Sequence, residues 1–463
     1  MRPRTRGAES AKSYCVVGGG ISGLVAAYRL RDALGDDVDI TVFEPADRLG
    51  GVLRTEQLGG QPIDIGAEAF VARRPEMPAL LTELGLADRQ IGTTGVRPLI
   101  YSQGRLHELP RDTVNGIPTD PSTMTGLVDP GTVAWMRDEP SRPLHWRPGA
   151  DPTVAELVGD RFGEQVVTRS VDPLLAGVYA GSAATIGLRS AAPTVAAALD
   201  RGARNLTEAV REALPPPKSG SVFGAIDGGY QVLLDELVRR ADADWAQVGI
   251  ERLERRGSGW QLVDDEGGAW YADAVLLAVP APRLARIVAD VAPGTAAAAR
   301  RVKVASSALV ALALPGGAPV PDRSGVLVTT SERLHAKAIT LSSRKWGARG
   351  NVELVRLSFG RYGDSTHDIA HRVGDDDLLA WAAEDLASVF GVTSEPFDCL
   401  VHRWLDAMPQ YGPGHGALVA ELRAGLPASV AVAGAYLDGI GVPACIAAAT
   451  RAAASLAGSR VEK

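Results

Sequence analysis

The sharpest chemistry lies near the amino end, in Gly18-Gly19-Gly20-Ile21-Ser22-Gly23, a GxGxxG run. It follows an apolar, β-branched stretch, SYCVV, and precedes LVAAYRLRDAL, which has helical periodicity, so the glycines fall at a strand-to-helix turn. There Gly18 permits a tight turn, Gly20 lets a pyrophosphate approach the backbone, and Gly23 lets helix and strand pack closely. The helix start adds unpaired N–H groups and the positive end of its dipole. A second strand, DITVFE, ends in Glu44, where a carboxylate accepts hydrogen bonds from ribose hydroxyls.

Arg48, Gly50 and Gly51 extend this to E-x-x-x-R-x-G-G. A basic residue and a second glycine pair suit a longer, FAD-shaped dinucleotide, with Arg48 compensating diphosphate charge and the glycines permitting close passage. The structural alternative is a surface arginine before a glycine hairpin. Other constellations carry less. His367-Asp-Ile-Ala-His371 imitates a zinc motif, but aspartate is too short for the glutamate role and no third ligand is evident, so no metal is assigned. Cys15, Cys399 and Cys445 are odd in number and widely spaced, which fits a reducing cytoplasm. No Ser-His-Asp order or carboxylate pair stands out, so no catalytic side chain is assigned.

These residues must be held by more than one core, since 463 residues exceed the roughly 250–300 that one core sustains. The composition is that of a soluble globular protein, and a net charge of -7 without a basic stripe excludes nucleic-acid binding. Apolar stretches are broken by Asp438, Arg451, Gly and Pro, short of a membrane span. The expected organisation is a disordered tail over 1–12 and a discontinuous dinucleotide domain over 13–76, 216–295 and 400–463. A mostly helical unit over 77–215 and a sheet-containing unit over 296–399 complete it. In the third segment WAQVGIERLERR and GWQLVDD read as paired strands leading to AVLLAVP.

Further motifs, IDIGAEAFVARRPE, LLAGVYAGSAATIGLRSA, KAITLSSRKW, VHRWLDAMPQYGPGH and VAGAYLDGIGVPACIAA, are spread over nearly the whole chain. Together with the glycine motifs the sequence resembles the porphyrinogen oxidases of the flavin amine oxidase and protoporphyrinogen oxidase superfamily, nearest the soluble, coproporphyrin-forming actinobacterial type. The resemblance implies an α/β fold: a GR2-type Rossmann-like FAD-binding domain with an inserted α+β substrate-binding domain and a helical subdomain. It implies non-covalent FAD, because no cysteine stands between Trp404 and Gly434, where monoamine oxidases carry their flavin link.

By the same resemblance Gly66, Ala67, Glu68 and Ala69 line the flavin, Ile250 meets the adenine through its backbone, and Trp404 belongs to an R-W motif. Gly434, Gly439, Ile440, Gly441 and Val442 form the C-terminal flavin turn. Arg97 aligns with an arginine set against a substrate propionate, the alternative being a solvated arginine. Gly177 aligns with a glycine whose carbonyl receives pyrrole N–H groups, the alternative being a helix end. Lys337 compares with a lysine near the flavin in polyamine oxidases and equally suits a strand ending at the surface. The implied activity is oxidation of a porphyrinogen, coproporphyrinogen III or else protoporphyrinogen IX, with oxygen as acceptor in heme biosynthesis. The flavin N5 carries hydride, and a peripheral membrane or heme-pathway enzyme is a further partner. The rivals are another flavin amine oxidase and a non-catalytic binding protein like the GDP-dissociation inhibitors, which intact glycines and Glu44 disfavour.

Overall fold

Alternation along the first strand, Lys12–Val17, sets the architecture. Tyr14 and Val16 face one core and Cys15 and Val17 the other, because successive strand side chains point to opposite faces. The structure, a computed structural model, describes residues 11–216, 220–348, 350–363 and 368–458. Five parallel strands run in the order Asp244–Ala246, Val38–Phe43, Lys12–Val17, Ala274–Leu277 and Val430–Val432. Cys15 sits level with Thr41 on one side and Val275 on the other. Both faces are covered, which is why these strands read as continuous apolar runs.

One face carries the helices Ile21–Leu34, Gln231–Ala241 and Val442–Gly458. The other carries the three-stranded meander Ile250–Arg256, Gly259–Asp264 and Ala269–Ala272, with the helices Ala281–Ile287 and Pro293–Arg301.

A seven-stranded sheet runs in the order Asp398–Pro409, Val304–Pro315, Val352–Phe359, Ala336–Leu341, Gly325–Val328, Leu99–Ser102 and Arg105–Glu108. The helix Asp375–Phe390, opened by three aspartates that suit its positive end, covers one face. Against the other packs the hairpin Thr55–Leu58 and Gln61–Asp64 through Leu58, Ile63 and Ile65. A third body of helices, from Pro130–Arg137 to Leu206–Ala213, closes around its own core.

Three readings change. The hairpin of Leu99–Ser102 and Arg105–Glu108 lies within the stretch read as mostly helical, yet it completes the seven-stranded sheet. Its turn, Gln103-Gly104, has positive φ at both residues, as a two-residue hairpin turn requires. WAQVGIERLERR is two strands in two sheets: Asp244–Ala246 joins the parallel sheet, and the chain breaks at Gly249, whose N–H donates to Asp265 Oδ1 at 3.0 Å. Lys12 already opens the first strand, and the rest of the expected tail, apart from Ala11, lies outside the described residues, as does His367.

Candidate functional site

The glycine turn follows Val17 directly, and its sterics explain the spacing. Gly18 has φ +107°, and a Cβ at Gly23 would lie 1.8 Å from the Gly18 carbonyl oxygen. Helix Ile21–Leu34 can therefore seat its first turn on the strand end only if residue 23 is glycine. Gly20 is its N-cap and offers no side chain, and no acid stands in the first turn, so the opening N–H groups face outward uncapped.

At the end of the neighbouring strand, Glu44 accepts from Gly19 N at 2.9 Å through Oε2 and from Ala46 N at 3.1 Å through Oε1. The carboxylate is thus pinned over the glycine turn with lone pairs left for hydroxyl donors. Glu44→Ala is expected to leave the fold intact and weaken FAD retention about ten- to hundredfold, the scale of a lost charge-assisted hydrogen bond. Visible flavin absorption after dialysis measures it, and unchanged occupancy would remove Glu44 from the site.

The second glycine pair stacks on the first. Gly50 N donates to Gly19 O at 2.8 Å, and Gly20 and Gly50 form a parallel bridge. Arg48 lies in this second turn. Its guanidinium turns inward, donating to the carbonyls of Leu49 at 3.2 Å, Leu53 at 3.1 Å and Gly51, so it fastens this turn.

Next comes the turn after Ile65. A Cβ at Gly66 would lie 1.8 Å from Val52 O and 3.2 Å from Trp404 Cζ2. Trp404 Nε1 donates to Ile65 O at 2.9 Å. Ala67 and Ala69 are partly buried beside it. The Glu68 carboxylate accepts from Ser342 Oγ at 2.6 Å and Lys345 Nζ at 2.7 Å and pairs with Arg356 Nη1 at 3.3 Å. Burial pushes that carboxyl up, but Lys345 and Arg356 outweigh it and hold it well below the usual carboxylate range. His402 lies edge-on to Trp404 at 4.2 Å, and burial, with Arg54 and Arg48, lowers its imidazole to about 4, leaving it neutral near pH 7.

Ile250 is buried with Val17 and Phe43 and so stands at the carboxyl ends of the parallel strands. From Val432 the chain runs through Gly434, Gly439, Ile440 and Gly441 to Val442, the first residue of the last helix, which has no acid in its first turn. Cys445, in that first turn, donates its thiol to Ile440 O at 3.8 Å, tying the turn to the helix it opens. The first and last helices pack on each other, and neither has an acid in its first turn. Tyr411, which the motif reading did not single out, donates its hydroxyl to Ala435 O, and its ring meets Tyr179 at 5.6 Å. A buried tyrosine needs such an acceptor, the one clue its type offered.

Arg97 and Gly177 stand apart from this cradle, both against the strand Gly325–Val328. Arg97 O accepts from Ser324 N at 3.3 Å, and Gly177, in the last turn of Asp172–Tyr179, faces Leu327. Helical geometry leaves last-turn carbonyls without an intrahelical partner. Arg97 is half-buried, and Nη2 donates to Leu109 O at 3.1 Å. The surface reading of Lys337 fails: it is 5% exposed and Nζ donates to Gly360 O at 2.7 Å and Ser307 Oγ at 3.0 Å.

The flavin containing amine oxidoreductase family matches residues 21–457 of this chain. The chain belongs to that family. Within and around it, a coproporphyrinogen III oxidase from Mycobacterium tuberculosis is 67% identical over 445 residues, 96% of this chain and 97% of the relative. The Mycobacterium leprae protein of the same name is 64% identical over 447 residues, 96% and 98% of the two chains. A solved structure described as a protoporphyrinogen oxidase from Exiguobacterium sp. 255-15 superposes with a TM-score of 0.87 at 27% identity, covering 98% of this chain and 100% of that one. The cofactor is FAD. The cradle fits it: two helix starts free of acids and a carboxylate over the first glycine turn match a diphosphate and a ribose. Among the described residues no group of three or more His, Cys, Asp or Glu could hold a metal, and no helix is long and apolar enough to cross a membrane.

Proposed function

We propose that this chain oxidises coproporphyrinogen III to coproporphyrin III with FAD as cofactor and oxygen as acceptor. The observation that carries the reading is the near full-length identity with the mycobacterial coproporphyrinogen III oxidases. Bound FAD would supply a two-electron acceptor, so that each of three rounds moves two electrons and two protons from the porphyrinogen to O2, which leaves as hydrogen peroxide. In this reading Gly18–Gly23 and the first helix hold the diphosphate, Glu44 the ribose, and the Ile250 backbone the adenine. The start of Val442–Gly458, free of acids, would offer a positive dipole end to negative charge on the bound group. The protein's work is orientation and exclusion of water, so no acid–base side chain is required. Three free cysteines fit a cytoplasmic setting.

Arg97 and the Gly177 carbonyl hold the substrate, the first through a propionate and the second through pyrrole N–H groups. Arg97→Ala is expected to raise KM about ten- to hundredfold with little change in kcat, since a propionate clamp binds ground and transition states alike. A pure kcat defect would place Arg97 elsewhere in the mechanism. Coproporphyrinogen carries two more propionates than protoporphyrinogen, so discrimination lies in binding at the pocket rim. In a competition assay with both substrates prepared anaerobically, coproporphyrin should form with the higher specificity constant. Preference for protoporphyrin would overturn the substrate while leaving the flavin oxidase.

A further inference from the structure

The turn Ile65–Glu68 is gripped from behind by residues nearly 280 to 340 positions further along the chain. Trp404, on Asp398–Pro409, holds Ile65 O, and Arg356, on Val352–Phe359, donates Nη2 to Gly66 O at 2.8 Å. Both strands flank Val304–Pro315 in the seven-stranded sheet. Glu68 anchors the same grip through Ser342, Lys345 and Arg356. The Arg356 and Glu68 side chains are 8% and 10% exposed, so the pair is taken out of water, with Arg356 on a strand, VELVRLSF, whose other charge, Glu353, has its own partner in Arg344. Apolar residues of similar volume would fold such a sheet as well or better, so stability alone does not call for these charges. What they fix is position.

From the front, the turn has no slack. Ala67 N donates to Val52 O at 3.4 Å, Gly66 is packed on that same oxygen, and Val52 follows the Gly50–Gly51 pair that bridges to Gly19 and Gly20. A shift of Gly66 is therefore passed to the phosphate cradle.

We propose that Arg356, itself held by Glu68, is a positioning residue for the flavin reaction: through the Gly66 carbonyl it sets the backbone of Ile65–Ala69 from the substrate-side sheet. This rests on the FAD reading above. Arginine is needed because its planar fork reaches Glu68 Oε1 and Gly66 O together, which a lysine ammonium does with poorer geometry. When the grip is lost, the cradle still retains FAD, but the ring and substrate meet out of register.

Purified Arg356→Met, Arg356→Lys and Glu68→Gln, each reconstituted with FAD, test this against wild type by flavin occupancy, visible band shape, melting temperature and steady-state kinetics with coproporphyrinogen III. The expected result for Arg356→Met is a kcat lowered about ten- to hundredfold, the scale of an ångström-sized misplacement, with an altered flavin band shape and KM within about twofold. Arg356→Lys should recover part of the kcat and Glu68→Gln should lose less than Arg356→Met. A folded Arg356→Met with full flavin, wild-type bands and wild-type kcat overturns the proposal, as does a lowered melting temperature alone. Should Arg356→Met fail to fold, Glu68→Gln, which keeps the shape of the side chain, decides by the same readings. Missing flavin bands in wild type would refute instead the FAD reading beneath it.

Discussion

Replacing Glu139 with alanine is expected to cost about 3–5 kcal/mol, concentrated in the helical body, because it strands a buried arginine. Glu139 is fully buried and Arg161 is 4% exposed, with Nε donating to Glu139 Oε1 at 2.9 Å. The same carboxylate accepts from Leu206 N at 2.8 Å, Thr207 N at 3.2 Å and Thr207 Oγ1 at 2.7 Å, so it also satisfies the opening of helix Leu206–Ala213. Arg161 in turn donates to the carbonyls of Pro143, Glu139 and Arg142. One residue thus ties two helices to the turn over 139–143, which precedes both in the chain. Amide hydrogen exchange in Val154–Phe162 and Leu206–Ala213 gives the local reading, with protection falling about a hundredfold or more. A double Glu139→Met, Arg161→Met protein should lose less than the two single changes summed, since no charge is left uncompensated. Wild-type protection in Glu139→Ala would show that the pair does not hold these helices.

Gly23→Ala is the second large effect. One added methyl would sit 1.8 Å from Gly18 O and 3.4 Å from Val16 Cγ1, so the first helix must move off the strand end. Overpacking of this kind costs about 1–3 kcal/mol. Its greater consequence is functional, because the displaced helix start is the one that meets the diphosphate. FAD occupancy should fall below half at flavin concentrations that saturate wild type, while far-UV circular dichroism stays native at low temperature. Full occupancy with a wild-type melting temperature would contradict the steric argument.

The first strand, helix and second strand were legible because independent signals coincide there: glycine spacing, a switch of hydrophobic period and an acid at the strand end. The split of WAQVGIERLERR was not, since both pieces alternate acceptably and only the Asp265 contact at Gly249 separates them. Gly66 and Glu68 show why site residues are harder. Neighbours in a turn face different ways, and the partners that hold the Glu68 carboxylate, Lys345 and Arg356, lie far along the chain. Arg356 left one trace, a lone cation inside VELVRLSF, which a buried strand tolerates only when it is paired. The contacts of Arg48 with the carbonyls of its own turn left none, because nothing in the local sequence marks which carbonyls a guanidinium reaches.

The parallel sheet has a consequence for biogenesis. Its central strand, Lys12–Val17, leaves the ribosome before the other four strands of the sheet, but one neighbour is Ala274–Leu277 and the far edge is Val430–Val432. At about 5–20 residues per second, roughly 20–80 s pass before that edge exists. Until the meander over 250–272 and the helices up to Arg301 have emerged, the apolar face made by Cys15 and Val17 has no lasting cover, whereas the helical body between can close on local contacts. The nascent chain is therefore a natural client for chaperones that shield apolar strands, and the FAD cradle is complete only once Val430–Val432 and the helix Val442–Gly458 have emerged.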